Sequence, residues 1–303
     1  MKRVELIIEN EKEFRLNRLA CQHPLCFPPT YKLNRFVINM DRKNGLVLMP
    51  GGKDKIGHFN RKGNKRYAVG MALSDAEQFL DRGENPLPGE FDHKILMGLI
   101  YLATTNNQYY VDFKSTYAIL KALALPISET YYGMLWNSFD KWSKTSIMYQ
   151  KNIRIYNGNK ATTFKHALGI SNVICSIDSY WNSDKDEEEG IHIEFTKRFI
   201  DLLGIKFSAQ LKYETVLQLK GTTSKNLYLY LKGAEGYLKT EKGINLNIRQ
   251  FCINKLAISG NTRIYRMKDF LEKSIKGINK KIKTGKYILK FKEENVIIKY
   301  NDY

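Results

Sequence analysis

Three things are scarce in these 303 residues: long apolar runs, cysteines and acidic side chains. No apolar stretch approaches the roughly 20 residues that a membrane-spanning helix needs. The opening MKRVELIIENEKEFR breaks its apolar stretch with Glu5 and Glu9, so a secretory leader is not expected, and an intracellular, cytoplasmic protein is. Only Cys21, Cys26, Cys175 and Cys252 are present, and in that compartment disulfides are not expected. Cys21, His23 and Cys26 offer three possible zinc ligands close together. A structural zinc site wants a fourth ligand and a partner pair, and no second pair occurs, so plain structural use and no metal are expected.

Catalytic signatures are scarce too. Gly51–Gly52–Lys53–Asp54 lacks the hydroxyl of a phosphate-binding loop and follows no clear strand-to-helix entry. The five histidines (His23, His58, His93, His166 and His192) are scattered, without the close pair that a metal-dependent nickase needs. Neither enzymatic activity nor a cofactor is expected.

What is abundant is positive charge. Lys and Arg number 49 against 31 Asp and Glu, a net of +18. Residues 1–190 carry 26 basic and 21 acidic side chains, whereas residues 191–303 carry 23 and 10. The excess therefore sits in the last third of the chain, an asymmetry that favours a polyanionic partner.

Periodicity divides the chain into three parts. Residues 1–86 read as an N-terminal arm with a β-hairpin: RFVINMDRKNGLVLM places two β-rich runs around Lys43–Asn44–Gly45. A basic loop follows at 50–66, and Ser74 with Glu77 makes a capping-box pattern. Residues 87–190 read as helix (Phe91–Thr104), strand (Tyr109–Phe113), helix (Ser115–Ala124), helix (Glu129–Lys144, capped by Ser128) and two strands (Ser146–Tyr156, Asn172–Trp181). Asp184–Glu189, with five acids among six residues, reads as a solvated loop between halves.

Residues 191–303 repeat the order. Thr196–Leu203 is predicted helical and Leu211–Leu219 strand or irregular. Then come a helix at Thr223–Lys232, a strand at Ile244–Asn247, a helix at Arg249–Ile258, the turn Ser259–Gly260–Asn261, and a helix at Thr262–Asn279. A hairpin, Tyr287–Lys292 with Val296–Tyr300, ends the chain. The fold class expected is α+β: two tandem winged-helix domains with an N-terminal β-hairpin extension. The first is a candidate for dimerisation and the second for the main DNA contact.

The long helix near the end carries the functional expectation. Ile264, Met267, Leu271, Ile275 and Ile278 step by three or four residues into one apolar stripe. Arg263, Arg266, Lys273 and Lys276 lie off it, as do Thr262 and Tyr265. In a helix-turn-helix the start of the second helix meets base edges in the major groove, where Arg suits bidentate contact with guanine. Asn261, Thr262, Arg263, Tyr265, Arg266 and Lys273 are therefore candidate DNA contacts, with Arg249 from the preceding helix as a backbone clamp. Lys283, Lys286, Lys290 and Lys292, beside Lys280 and Lys281, form a basic wing suited to phosphates. The matching helix of the first half offers Lys141 and Lys144.

Four stretches resemble the replication initiators of iteron-type plasmids, in particular the replication initiator protein A group. They are Leu87–Leu96; Tyr132-x-x-Leu135-x-x-Ser138-Phe139-x-Lys141-Trp142-x-x-Thr145-x-Ile147; Ile177–Trp181 with Gly190–Phe195; and Leu217-x-Leu219 leading to Leu227–Tyr228 and Tyr265–Arg266. Trp142 stands where the family has an aliphatic residue, and Lys225–Asn226 where an Arg pair is usual. The likeness covers residues 87–300. It implies double-stranded DNA binding at origin repeats, recruitment of a host initiator ATPase and replicative helicase, a dimer–monomer balance and autorepression. A winged-helix transcriptional repressor, and a primase or nickase with an unrecognised site, are the competing readings.

Overall fold

The computed structural model describes residues 13–18, 20–22, 24–28, 37–39, 46–48, 69–73, 85, 87–149, 153–157, 160–164, 169–184, 187–200, 208–282 and 285–301. The turn at Lys43–Gly45, the basic loop at 50–66, the Ser74/Glu77 pattern and Lys283 lie outside them.

The chain opens with strand β1 (Glu13–Asn17), followed by β2 (Val37–Asn39), β3 (Leu46–Leu48) and β4 (Val69–Leu73). β2 and β3 pair antiparallel with Asn39 opposite Leu46, as a hairpin about the expected turn requires.

The first winged helix begins at α1 (Glu90–Thr105). Its N-terminus is closed by Asp92, whose Oδ2 accepts from the Gly89 amide at 2.7 Å. Then come β5 (Tyr110–Phe113), α2 (Thr116–Ala122, capped by Ser115) and α3 (Glu129–Ser143, capped by Ser128). Each Ser side chain accepts a backbone N–H of the first turn, which is why these starts are legible in the sequence.

The single strand expected at 146–156 is two, β6 (Thr145–Tyr149) and β7 (Ile153–Asn157), and β8 (Lys160–Phe164) pairs with β7. β9 (Gly169–Asn172) follows, and β6 joins it to the N-terminal hairpin in a sheet of order β2-β3-β4-β6-β9. The extension thus joins β2, β3 and β4 to β6 and β9 of the first module.

The wing of that module is β10 (Ile174–Asn182) and β11 (Glu187–Phe195), with order β10-β11-β5. This corrects two expectations. The boundary set at 190/191 falls inside β11, which pairs with β5 at Ile191–Glu194. The acidic run is not a loop between halves. Its members Glu187, Glu188 and Glu189 belong to β11, and Glu188 accepts from the Thr116 amide (2.7 Å) and hydroxyl (3.0 Å), fixing the wing to the start of α2.

A short helix α4 (Lys197–Ile200) leads to β12 (Ser208–Lys212) and α5 (Tyr213–Gln218), so the span read as strand or irregular is strand and then helix. The second winged helix is α6 (Thr222–Gly233), a turn of helix α7 (Glu235–Leu238), β13 (Ile244–Asn247), α8 (Ile248–Leu256), α9 (Ile264–Asn279), β14 (Lys286–Lys292) and β15 (Asn295–Asn301). Its sheet runs β13-β15-β14.

The described residues from 13 to 28, expected to belong to an N-terminal arm, are instead part of the core. β1 pairs along its length with β12, and Phe14, Leu16, Cys21, Leu25 and Cys26 are buried. Gly233 makes room for them: a Cβ there would stand 2.8 Å from Cys21 Cβ and 3.0 Å from the Arg18 carbonyl oxygen.

One continuous apolar cluster reaches from Phe14 through both modules to Ile298. At the seam Tyr101 of α1 stacks on Tyr213 of α5 (4.5 Å, 3° between planes), and Phe14 meets both rings edge-on. Lys225 of α6, almost wholly buried, donates to Glu90 at the start of α1 at 2.7 Å. Asn226 of α6 donates to the Cys26 carbonyl at 2.7 Å, so Lys225–Asn226 serves internal packing.

Candidate nucleic-acid interface

Helix α9 buries Met267, Leu271, Ser274, Ile275 and Ile278, the face anticipated from the stripe with Ser274 added. Ile264, the first member of that stripe, is half-buried. The opposite face is open. Arg263 stands at the N-cap position without a side-chain capping bond and is exposed, as are Tyr265, Arg266, Phe270, Lys273 and Lys276.

Geometry on both sides fixes how α9 is presented. α8 ends at Ala257, whose φ of 54° places it in the left-handed region, and the chain then turns through Ser259–Asn261. A left-handed residue at a helix C-terminus is usually Gly, because other side chains crowd the backbone there. Ala257 takes this conformation with only a methyl group and no β-branch to crowd the backbone. The Arg249 guanidinium donates to the Gly260 carbonyl at 2.7 Å, and the Thr262 amide to the Ser259 carbonyl, so the turn is braced. On the other side Asn279 exchanges two hydrogen bonds with the Tyr287 backbone (2.9 and 2.8 Å). Lys268 donates to the Glu293 carbonyl at the wing tip and lies over the Phe291 ring. Helix and wing therefore move together.

The expected residues separate by their partners. Among the described residues no carboxylate lies within ion-pair distance of Arg263 or Arg266. Arg266 Nε donates to the Tyr265 hydroxyl at 3.3 Å, with the guanidinium 6.0 Å from that ring's centre. Lys273 pairs with Asp269 one turn back at 2.8 Å. That pair is solvent-exposed and worth only about 0.3–0.5 kcal/mol, so a phosphate can displace it. Lys286, Lys290 and Lys292 are exposed along β14, alternating with the half-buried or buried Tyr287, Leu289 and Phe291. Asn261 is exposed and Thr262 half-exposed at the lip of an open concavity of about 470 Å³, lined also by Ser259, Arg263, Arg266 and Phe270. Phe270 was missed by the sequence reading. Its neighbour Leu271 belongs to the apolar stripe, and an aromatic beside that stripe is not distinguishable from core by spacing alone.

The first module differs. Lys141, expected to be exposed, is mostly buried and donates to Asp92 Oδ2 at 3.2 Å, and Lys144 pairs with Asp140 at 2.8 Å. Lys141 is thus an internal counter-ion for the carboxylate that closes α1. Trp142 lies fully buried beneath it and donates its indole N–H to the Asp92 carbonyl at 2.8 Å. This module exposes apolar side chains instead: Tyr117, Ile127, Met134 and Trp136 around α2 and α3.

Among the described residues no three His, Cys, Asp or Glu side chains are grouped to hold a metal, and no helix is long and apolar enough to cross a membrane. Burial pushes the Cys21 and Cys26 thiols up to about 12. His192 lies on β11, its Nδ1 2.7 Å from Asp112 Oδ1 on β5.

No protein-family model and no curated protein matches the sequence. Solved structures do. A crystal structure of selenomethionine derivatives of domains 2 and 3 of RctB matches with a TM-score of 0.50 at 10% identity, covering 94% of this chain and 98% of that one. A second crystal structure of RctB domains 2–3 matches with a TM-score of 0.45 at 11% identity, covering 93% and 94%. The Pi initiator protein in complex with iteron DNA matches with a TM-score of 0.34 at 13% identity, covering 98% and 99%. The first of these is close enough to share a fold. Together with the element order and sheet topology above, it gives the conclusion that the chain is an α+β protein of two tandem winged-helix domains, with the two-domain fold of RctB domains 2 and 3.

Proposed function

We propose that this protein binds double-stranded DNA at the repeats of a plasmid or phage replication origin and starts replication there. The observation that carries the reading is α9: an amphipathic helix following a braced turn, with Arg263 and Arg266 exposed at its N-terminal end and a lysine-bearing wing alongside. Such a helix suits a major groove, with its first turn on base edges and the wing on phosphates. The charge of residues 191–303 fits a polyanion. The resemblance across residues 87–300 supplies the origin, the repeats, and a host initiator ATPase and replicative helicase as partners. The first module, whose α3 lysines both face carboxylates, suits a homodimer contact through its exposed apolar residues better than a phosphate backbone. Dimers on the protein's own promoter account for autorepression. The proposed role requires no enzymatic step.

Footprinting on the DNA flanking its gene, followed by titration of Arg263→Ala and Arg266→Ala, tests this. Each variant is expected to lose about 1–3 kcal/mol on the specific site and little on scrambled duplex. Equal loss on both sequences excludes base reading by these arginines. A stable dimer protecting only an inverted repeat supports a transcriptional repressor instead.

A further inference from the structure

We propose that Phe270 is a specificity-determining residue that packs against the C5 methyl of a thymine, beside the base contacted by Arg266. This rests on the DNA-binding reading above and adds the identity of one base. Arg263, Arg266 and Phe270 step by three and then four residues, which places them on one strip of α9. All three line the same open concavity, with Ser259, Asn261 and Thr262 of the preceding turn. Its lining is hydroxyls, an amide, two guanidiniums and one phenyl ring. The other large apolar side chains in the middle of α9, Met267, Leu271 and Ile275, are in the core, but Phe270 stays 40% exposed.

The lining matches the chemistry of a major groove. Guanine N7 and O6 are acceptors for an arginine fork, and the thymine methyl is the apolar group that a phenyl ring can meet there. Arg266 is held beside the ring of Tyr265 by its 3.3 Å hydrogen bond to that hydroxyl, so its fork is partly ordered before DNA arrives. An acidic peptide would satisfy the guanidiniums but does not call for an apolar contact at this one position.

The test uses the full chain and duplexes bearing its footprinted site, with each thymine replaced singly by deoxyuridine, which removes only the methyl group. The expected result is one position per site at which this change weakens binding about fourfold, the value of one buried methyl group. Phe270→Ala is expected to weaken binding to the thymine duplex at least as much and to show no further loss with deoxyuridine at that position. Phe270→Leu, which keeps an apolar contact, is expected to retain part of the preference. If the wild type binds its site but no deoxyuridine position matters, or if Phe270→Ala leaves the deoxyuridine penalty intact, the thymine contact is overturned while DNA binding stands. If the chain prefers no duplex over scrambled DNA, both readings fall.

Discussion

Individual side chains show how far a residue's neighbours decide its role. Lys141 reads as a surface cation, yet the fold places it against Asp92, itself only 8% exposed at its side chain. Removing one partner of a buried pair leaves a charge without compensation, at a cost of about 3–5 kcal/mol. Lys141→Ala is therefore expected to lower stability by roughly 3 kcal/mol, read by urea denaturation, while the folded fraction keeps wild-type DNA affinity. A large affinity loss at unchanged stability would restore it to the DNA-contact set. His93 makes a second case. It is fully buried in α1, and among the described residues neither ring nitrogen has a hydrogen-bond partner. Burial pushes its pKa down to about 3. The unfolded chain takes up a proton below about 6.5, whereas the folded one stays neutral. The contribution of His93 is thus fully present above pH 6.5 and is lost as pH falls towards 3, at up to about 1.4 kcal/mol per unit. His93→Leu is expected to flatten stability between pH 6.5 and 5; an unchanged profile excludes the assignment.

At the scale of elements, the amphipathic helices and their caps are legible because their signals are local. Ser115 and Ser128 mark helix starts through their own side chains, and the apolar stripe of α9 needs only its spacing. The two modules are told apart by what their last helices carry: on α9, guanidiniums with no ion pair among the described residues, and on α3 and its C-cap, apolar groups with paired lysines. The wing of the second module belongs to the same unit as α9, through Lys268 and Asn279. Lys290→Ala is expected to weaken all duplexes by a similar factor and to reduce the slope of log affinity against log salt by about 1. A sequence-selective effect would move Lys290 from the phosphates to the bases. What was not legible at this scale is β1: Glu13–Asn17 is a short alternating segment whose partner, Ser208–Lys212, lies almost 200 residues away.

For the molecule as a whole, the shared core is the controlling feature. The aromatic trio Phe14–Tyr101–Tyr213 and the Lys225–Glu90 pair join the modules across sequence-distant segments. Gly98 of α1 sits at this seam, where a Cβ would come 2.3 Å from Leu123 Cδ2 and 3.0 Å from the Tyr213 hydroxyl. The side chain of Leu123 can shift, but a branched residue needs more room than that. Gly98→Val is expected to cost about 1–3 kcal/mol through overpacking and to split a single calorimetric transition into two. A single transition at the wild-type temperature would show that the seam tolerates the added volume.

Local patterning was enough to read the two repeats of helix, strand, helix, helix and ribbon, the buried stripe of α9 and the concentration of charge in the last third. Each follows from neighbours a few residues apart or from simple counting. Long-range packing settled which cations remain exposed, that β1 is core, that Glu188 fastens a wing to α2, and that Phe270 faces outward beside Arg266. Those outcomes depend on which distant backbone or carboxylate arrives alongside, and no local period or composition encodes that meeting.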